Sequence, residues 1–329
     1  MGRKTAKREE VSKENLKNIN KDNLDLVDEF LEYCTSIDRS PKTVDKYRSD
    51  LLIVMNWLYE HAKNKDFTDI TKRDVTKFQS WCLKREFSPS RTRSLRSAMS
   101  SLSNYIENML DADFPDFRNI INKIPAPTLV PVREKTVLTN EQIDELLGKL
   151  ESLNKTQQRC LIALACASGM RISELVQARV DWFVGDNIKI TDGMYVTPEI
   201  RTKGRGVLGK KMNKYVIGAI FDKHLNDWIK EREELGIESE YLFVTKRKGI
   251  YSEAKVSTFN SWLEGMGRLI QEEIYMHCLR HYSATWLKRN GVDTAKIRDF
   301  MGHNDSSTTE IYIDIGKDEN LKGMLDFMK

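Results

Sequence analysis

The chain reads as a mostly α protein of the α+β kind, with a helical N-terminal domain and a C-terminal domain that mixes helices with a few short strands. Three observations predict this. Apolar residues recur at helical spacing behind recognisable N-caps through the first hundred or so positions. A stretch holding Pro125, Pro127 and Pro131, three of the seven prolines, then interrupts any regular structure. Beyond it, capped helical runs flank a glycine-punctuated region of short segments with strand character. A length of 329 residues is enough for two such cores.

Residues 1–21 carry Arg3, Lys4, Lys7, Arg8, Lys13, Lys17 and Lys21 against Glu9, Glu10 and Glu14. So little apolar surface predicts a basic, flexible leader, either a solvated tail or an arm that touches nucleic acid. A helical domain is expected over 22–122. Leu24, Val27, Phe30 and Leu31 make its first apolar stripe. Ser40-Pro41 pairs an N-cap with a first-turn proline and opens a second helix through Tyr47, Leu51, Val54, Met55 and Leu58. Thr71 caps a third, with Val75, Phe78 and Leu83 expected inward, and Ser88-Pro89 starts a fourth that reaches about Met109. Lys84, Arg85, Arg91, Arg93 and Arg96 cluster around this last start, opposed only by Glu86. Such a run is either a solvated face or, given the interleaved serines and threonines, a face that lies on a phosphate backbone.

Residues 123–135 are expected to be an extended linker, the alternative being a loop packed on one domain. The second domain, 136–329, opens at Thr139, with Gln142 placed to complete a capping box. Cys160 to Ser168 is an apolar helix of small residues that ends at Gly169, and Arg171 follows just before another helix. A guanidinium at such a boundary can face an anion or simply pair with Glu174. Asn187–Ile190, Tyr195–Arg201 and Lys214–Ile217 have strand character, with Gly193, Gly204, Gly206 and Gly209 for turns. Ala219 to Arg232 is amphipathic, burying Phe221, Leu225, Trp228 and Ile229, with His224 on its surface.

The net charge of +4, from 53 basic and 49 acidic residues, permits a nucleic-acid partner without requiring one. Five cysteines with no Cys-x-x-Cys spacing indicate neither a disulfide framework nor zinc, and read as reduced, buried thiols of an intracellular protein. No apolar run is long enough for a membrane span or a signal peptide, so a cytoplasmic location is expected.

The densest chemistry lies between His277 and Tyr312, which holds three of the five histidines. His277 and Arg280 are three apart, so on a helix an imidazole and a guanidinium share a face and can both address one oxyanion. Met301-Gly302-His303 follows, and Tyr312 comes nine residues after His303. Each residue alone suits an ordinary packing role. The ordered set has no such explanation, and it closely resembles the tyrosine recombinases, the phage integrase family; Gly169-x-Arg171-x-x-Glu174-Leu175 resembles that family's first arginine motif.

The resemblance implies a small helical core-binding domain followed by a mixed helical catalytic domain with a small antiparallel sheet. It implies a site-specific DNA recombinase in which Tyr312 attacks a backbone phosphate, leaving a 3′-phosphotyrosyl link. Arg171 and Arg280 would clamp the phosphate, His303 would hydrogen-bond it, and His277 would help take the tyrosine proton. Lys203 fits the family's hairpin lysine, which protonates the leaving 5′-oxygen; Lys210 and Lys211 are its alternatives. Tyr282 and Tyr275 are the alternative nucleophiles. Neither cofactor nor metal is expected. The expected partners are double-stranded DNA with inverted-repeat core sites and three further copies of the chain, with the need for an accessory directionality factor left open. The stripe Leu321, Met324, Leu325 and Met328 after the nucleophile would dock on its own domain or on a neighbouring subunit. A type IB topoisomerase, a hairpin resolvase or a catalytically silent DNA-binding protein are the competing readings.

Overall fold

A computed structural model describes residues 11–128, 137–186, 188–202 and 209–302. It divides into two compact units, one comprising Met1–Glu134 with Gly204–Gly209 and the other Lys135–Lys203 with Lys210–Lys329.

The first unit is helical. Its principal helices are α1 (Lys13–Asn18), α2 (Lys21–Ser36), α3 (Pro41–His61), α4 (Lys72–Lys84) and α5 (Pro89–Met109). The caps act where the sequence puts them: Ser40 Oγ accepts from the Thr43 amide, Ser88 Oγ from the Arg91 amide, and Thr71 and Asp74 exchange a reciprocal pair. Val27, Phe30 and Leu31 of α2 pack with Leu51, Val54, Met55 and Leu58 of α3, Phe78 of α4 and Leu95 and Leu102 of α5. Two expectations change. Leu83 is 51% exposed, because the inward stripe of α4 runs Val75, Phe78, Cys82 and leaves Leu83 on the outer side of the last turn. The leader is also structured from Ser12: α1 is tied to α3 by Asn15, whose Nδ2 donates to Asn56 and Glu60, and Ile19 is buried.

The second unit is built around α7 (Thr156–Ser168), every residue of which from Arg159 onward is buried. A helix apolar on all sides needs partners all round. They come from α6 (Asn140–Ser152), which carries the Thr139–Gln142 capping box, α9 (Gly218–Glu234) and α11 (Met276–Arg289), while α10 (Val256–Ile270) packs on α6 and on the short α8 (Ile172–Leu175), and α12 (Thr294–Met301) on α11. Leu161, Leu164, Phe221, Leu225, Trp228, Phe259, Leu263 and Leu279 share one core.

Among the described residues three small antiparallel sheets decorate this core. β1 (Lys189–Thr191), β2 (Met194–Val196) and β5 (Tyr215–Ile217) lie in the order β1-β2-β5, while β3 (Ile200–Thr202) pairs with β4 (Lys210–Met212) and β6 (Val244–Arg247) with β7 (Ile250–Glu253). The single strand expected over Tyr195–Arg201 is therefore two, in different sheets. Pro198 has no amide hydrogen to continue a ladder, and the chain turns there after the Thr197 amide donates to Lys214 O at 2.9 Å. Among the described residues no helix is long and apolar enough to cross a membrane.

Candidate active site

All of the site that can be described belongs to the second unit. α7 ends in a left-handed Gly169 (φ +57°), the conformation that terminates helices and that side chains resist. The reversal lets the chain leave the core as Met170 and present Arg171 at the start of α8. There the Arg171 amide donates to Glu174 Oε2 at 2.8 Å and Arg171 Nη1 to Glu174 Oε1 at 3.0 Å. Glu174 is fully buried, while the Arg171 side chain keeps 23% exposure. The carboxylate thus holds one edge of the guanidinium and leaves the rest toward solvent.

Arg280 approaches the same place from α11. It is buried, and its Nη1 donates to Gly169 O and its Nη2 to Met301 O at 2.9 Å. Met301 closes α12, so its carbonyl is one that the helix cannot satisfy internally and that carries the negative end of its dipole, while Gly169 is the cap that follows α7. α12 ends, like α7, in a left-handed glycine, Gly302 (φ +64°). The two arginines expected to act together are therefore joined through one turn: Arg280 holds the carbonyl of Gly169, two residues before Arg171. His277 lies one helical turn before Arg280 and is exposed, with its ring 6.3 Å from that of the buried His281.

A fifth ionic group, which the sequence did not single out, completes the cluster. Lys214 is 2% exposed; its Nζ lies 3.6 Å from Glu174 Oε2 and donates to Met301 O at 3.3 Å. Burial, and after it the charges of Arg280 and Arg171, lower its pKa to about 8 despite the opposing pull of Glu174. Its only sequence signal is the alternation with buried Val216, which turns Lys214 inward on the same strand face.

The hairpin lysines separate. Lys210 and Lys211 lie in β4, where Lys211 lines a groove with Arg179, Arg201 and Lys255. Lys203, His303, Tyr312 and the apolar stripe Leu321, Met324, Leu325 and Met328 lie outside the described residues. Of the alternative nucleophiles, Tyr282 is half-buried with its phenol pushed well above the ordinary range by burial, and Tyr275 N-caps α11. Burial disfavours a phenolate at Tyr282. Among the described residues no group of His, Cys, Asp and Glu is arranged to hold a metal ion, and all five cysteines are buried and in no disulfide.

In the first unit the five basic candidates have different environments. Lys84, Arg85 and Arg93 are exposed, with Arg85 over the Trp81 ring at 5.4 Å and Arg93 Nε donating to Pro127 O at 2.8 Å. Arg91 is half-buried on Asp50 at 2.5 Å, a carboxylate that also accepts from Lys46 and Ser94. Arg96 corrects the expectation of a DNA-facing side chain: it is 6% exposed and donates to Gln79 Oε1 and to the carbonyls of Ile121 and Ile124. Its position on α5 points it at the segment that follows the helix, whose backbone it satisfies.

The chain thus has a helical first unit and a second unit in which Glu174 holds Arg171 and the carbonyls of Gly169 and Met301 hold Arg280. The phage integrase family model matches residues 136–319, and the model of the family's N-terminal SAM-like domain matches residues 27–109. The chain belongs to the phage integrase family and is an enzyme of the tyrosine recombinase class. A tyrosine recombinase of Thermosipho africanus is 26% identical over 302 residues, covering 89% of this chain and 96% of that protein. The SPbeta prophage-derived recombinase-like protein YomM of Bacillus subtilis is 25% identical over 324 residues, covering 96% and 94%. Among solved structures, a lambda integrase dimer bound to a COC′ core site shares the fold with a TM-score of 0.66 at 17% identity, covering 88% of this chain and 76% of that one. The Tn1549 transposon integrase in complex with transposon right end DNA does so with a TM-score of 0.65 at 14% identity, covering 92% and 99%.

Proposed function

We propose that this enzyme cleaves and rejoins duplex DNA at inverted-repeat core sites through a 3′-phosphotyrosyl intermediate on Tyr312, moving or resolving a mobile element. The observation that carries the reading is the convergence of Arg171 and Arg280 on one patch through Gly169, Glu174 and Met301. Two guanidiniums so held suit the non-bridging oxygens of a phosphodiester, whose charge grows as the nucleophile adds; one lost oxyanion donor elsewhere costs about 3 kcal/mol. His277 takes the tyrosine proton, Lys203 delivers one to the leaving 5′-oxygen, and His303 holds the phosphate. Because the ester energy is kept in the phosphotyrosine, rejoining needs no outside energy source. Four copies assemble on paired sites, as in the lambda integrase tetramer bound to a Holliday junction. In this chain the stripe from Leu321 to Met328 joins the neighbours, while Lys84, Arg85 and Arg93 of the first unit take backbone phosphates.

The test traps the intermediate in cells. The protein is expressed, lysis in detergent freezes covalent adducts, and the attached DNA is sequenced. Adducts should map to short inverted repeats, and Tyr312→Phe should abolish them while half-site binding stays within about threefold, since only a hydroxyl is lost. Adducts that persist in Tyr312→Phe would move the nucleophile elsewhere. Relaxation of a supercoiled circle bearing one site, with no recombinant product from two, would instead favour a type IB topoisomerase.

A further inference from the structure

Among the described residues of the second unit Lys214 is the most deeply buried lysine, and it is used by nothing in the mechanism above, yet it meets three elements of the site. Its stem leaves the β4–β5 connection, where the Lys214 amide donates to Thr197 Oγ1 at 2.9 Å and its carbonyl accepts from the Thr197 amide at 2.9 Å, so the backbone cannot drift. Its Nζ faces Glu174 on one side and the last carbonyl of α12 on the other. The end of α12 sits directly on it: a Cβ built at Gly302 would lie 2.8 Å from Lys214 Nζ and 2.8 Å from Met212 Cε. The next residue along the chain is His303.

We propose that Lys214 is a positioning residue for strand cleavage, which fastens the Arg171 turn to the end of α12 and keeps Glu174 from monopolising the Arg171 guanidinium. The electrostatics make the second part specific. Glu174 is wholly buried, so its charge must be balanced nearby. With Lys214 present the balance is shared, and Arg171 commits Nη1 and its backbone amide while its other donors stay available to a phosphate. With a neutral residue at 214, Arg171 alone faces the carboxylate and is drawn inward. Met301 O simultaneously loses one of its two donors, which loosens the segment that leads to His303.

This inference rests on the recombinase reading, and the experiment separates the two. The DNA recovered from the trapped adducts, nicked so that the released 5′ fragment diffuses away, serves as a single-turnover substrate for the full-length parent, Lys214→Met and Lys214→Arg. Lys214→Met should cleave at least tenfold more slowly with half-site affinity within threefold of the parent. Lys214→Arg should recover to within fivefold, and it carries a second signature. The charged groups facing Nζ are Glu174, Arg171 and Arg280, and the parent cation loses its proton near the top of the working pH range. A guanidinium does not. The alkaline fall in rate should therefore move to higher pH in Lys214→Arg. In hydrogen exchange, the Met301 and Gly302 amides of Lys214→Met should exchange at least tenfold faster than in the parent. Cleavage by Lys214→Met within threefold of the parent overturns the proposal, as does an unshifted alkaline limb in Lys214→Arg. If Lys214→Met fails to fold, Lys214→Arg decides alone by that limb. Absence of adducts from the parent instead defeats the recombinase reading itself.

Discussion

Lys214 is folded in at a cost to its charged form, and the sign of that cost is measurable. Its pKa falls from an ordinary 10.5 to about 8 in the native protein. Below about pH 8 both native and unfolded chains hold the proton, and the native state bears the full burial penalty. Between that point and about 10.5 the native chain has released the proton and the unfolded chain has not, so linkage makes stability rise with pH across this window. Across the whole window the increment is about 3 kcal/mol. Urea midpoints of the DNA-free parent should reflect this rise between pH 8 and 10 relative to Lys214→Met, which lacks the group; identical curves would mean that Lys214 titrates normally. Among titratable side chains of the site, its companion Glu174 was legible from the spacing Arg171-x-x-Glu174. Lys214 was not, because a single lysine before a strand looks the same whether its end reaches solvent or a buried carboxylate.

At the scale of elements, α5 illustrates how a basic helix divides its labour. Ser88 and Pro89 start it, Arg91 ties its first turn to buried Asp50, and Arg96, just over a turn later, fastens the chain that follows the helix. Arg96→Met should therefore destabilise the first unit by about 2–3 kcal/mol, since it leaves Gln79 and two carbonyls without their donor. It should also leave the salt dependence of DNA binding unchanged, whereas Arg93→Ala should lower that slope by about one. Equal slopes for both would place Arg96 on the DNA after all. The helices of this unit were readable because Ser40, Thr71 and Ser88, like Thr139 in the second unit, act through local hydrogen bonds that distance cannot override. Strand pairing was less so. The β1–β2 turn uses Asp192-Gly193, both at positive φ and both residues that tolerate it, but the β6–β7 turn places Lys248 and Gly249 in the same conformation, and a lysine there carries no turn signal. That hairpin and α10 behind it go unpredicted, although Phe259, Leu263 and Met266 repeat at helical spacing.

For the whole molecule, the decisive question is how one active site learns of another. The stripe Leu321, Met324, Leu325 and Met328 follows Tyr312, the proposed nucleophile, so closely in sequence that seating it in a neighbour would fix Tyr312 and the assembly together. Four such side chains contribute about 1.5–3 kcal/mol each before ordering costs. A chain ending at Gly316 should fold and bind one half-site but lose cooperative binding to a full site, and with it strand exchange. Gel-shift titrations on half and full sites decide this: undiminished cooperativity, or an unfolded truncation, would mean that the tail packs on its own domain. The binding step itself is shaped by a feature already described, the two helix ends that hold Arg280. An unrestrained arginine surrenders about 2 kcal/mol of rotamer entropy when it is immobilised. Here that loss is incurred as the protein folds, on the carbonyls of Gly169 and Met301, which bear no formal charge for an incoming phosphate to outcompete. On the proposed function, DNA would meet a guanidinium already at rest, with the entropy of strand capture left to the other donors.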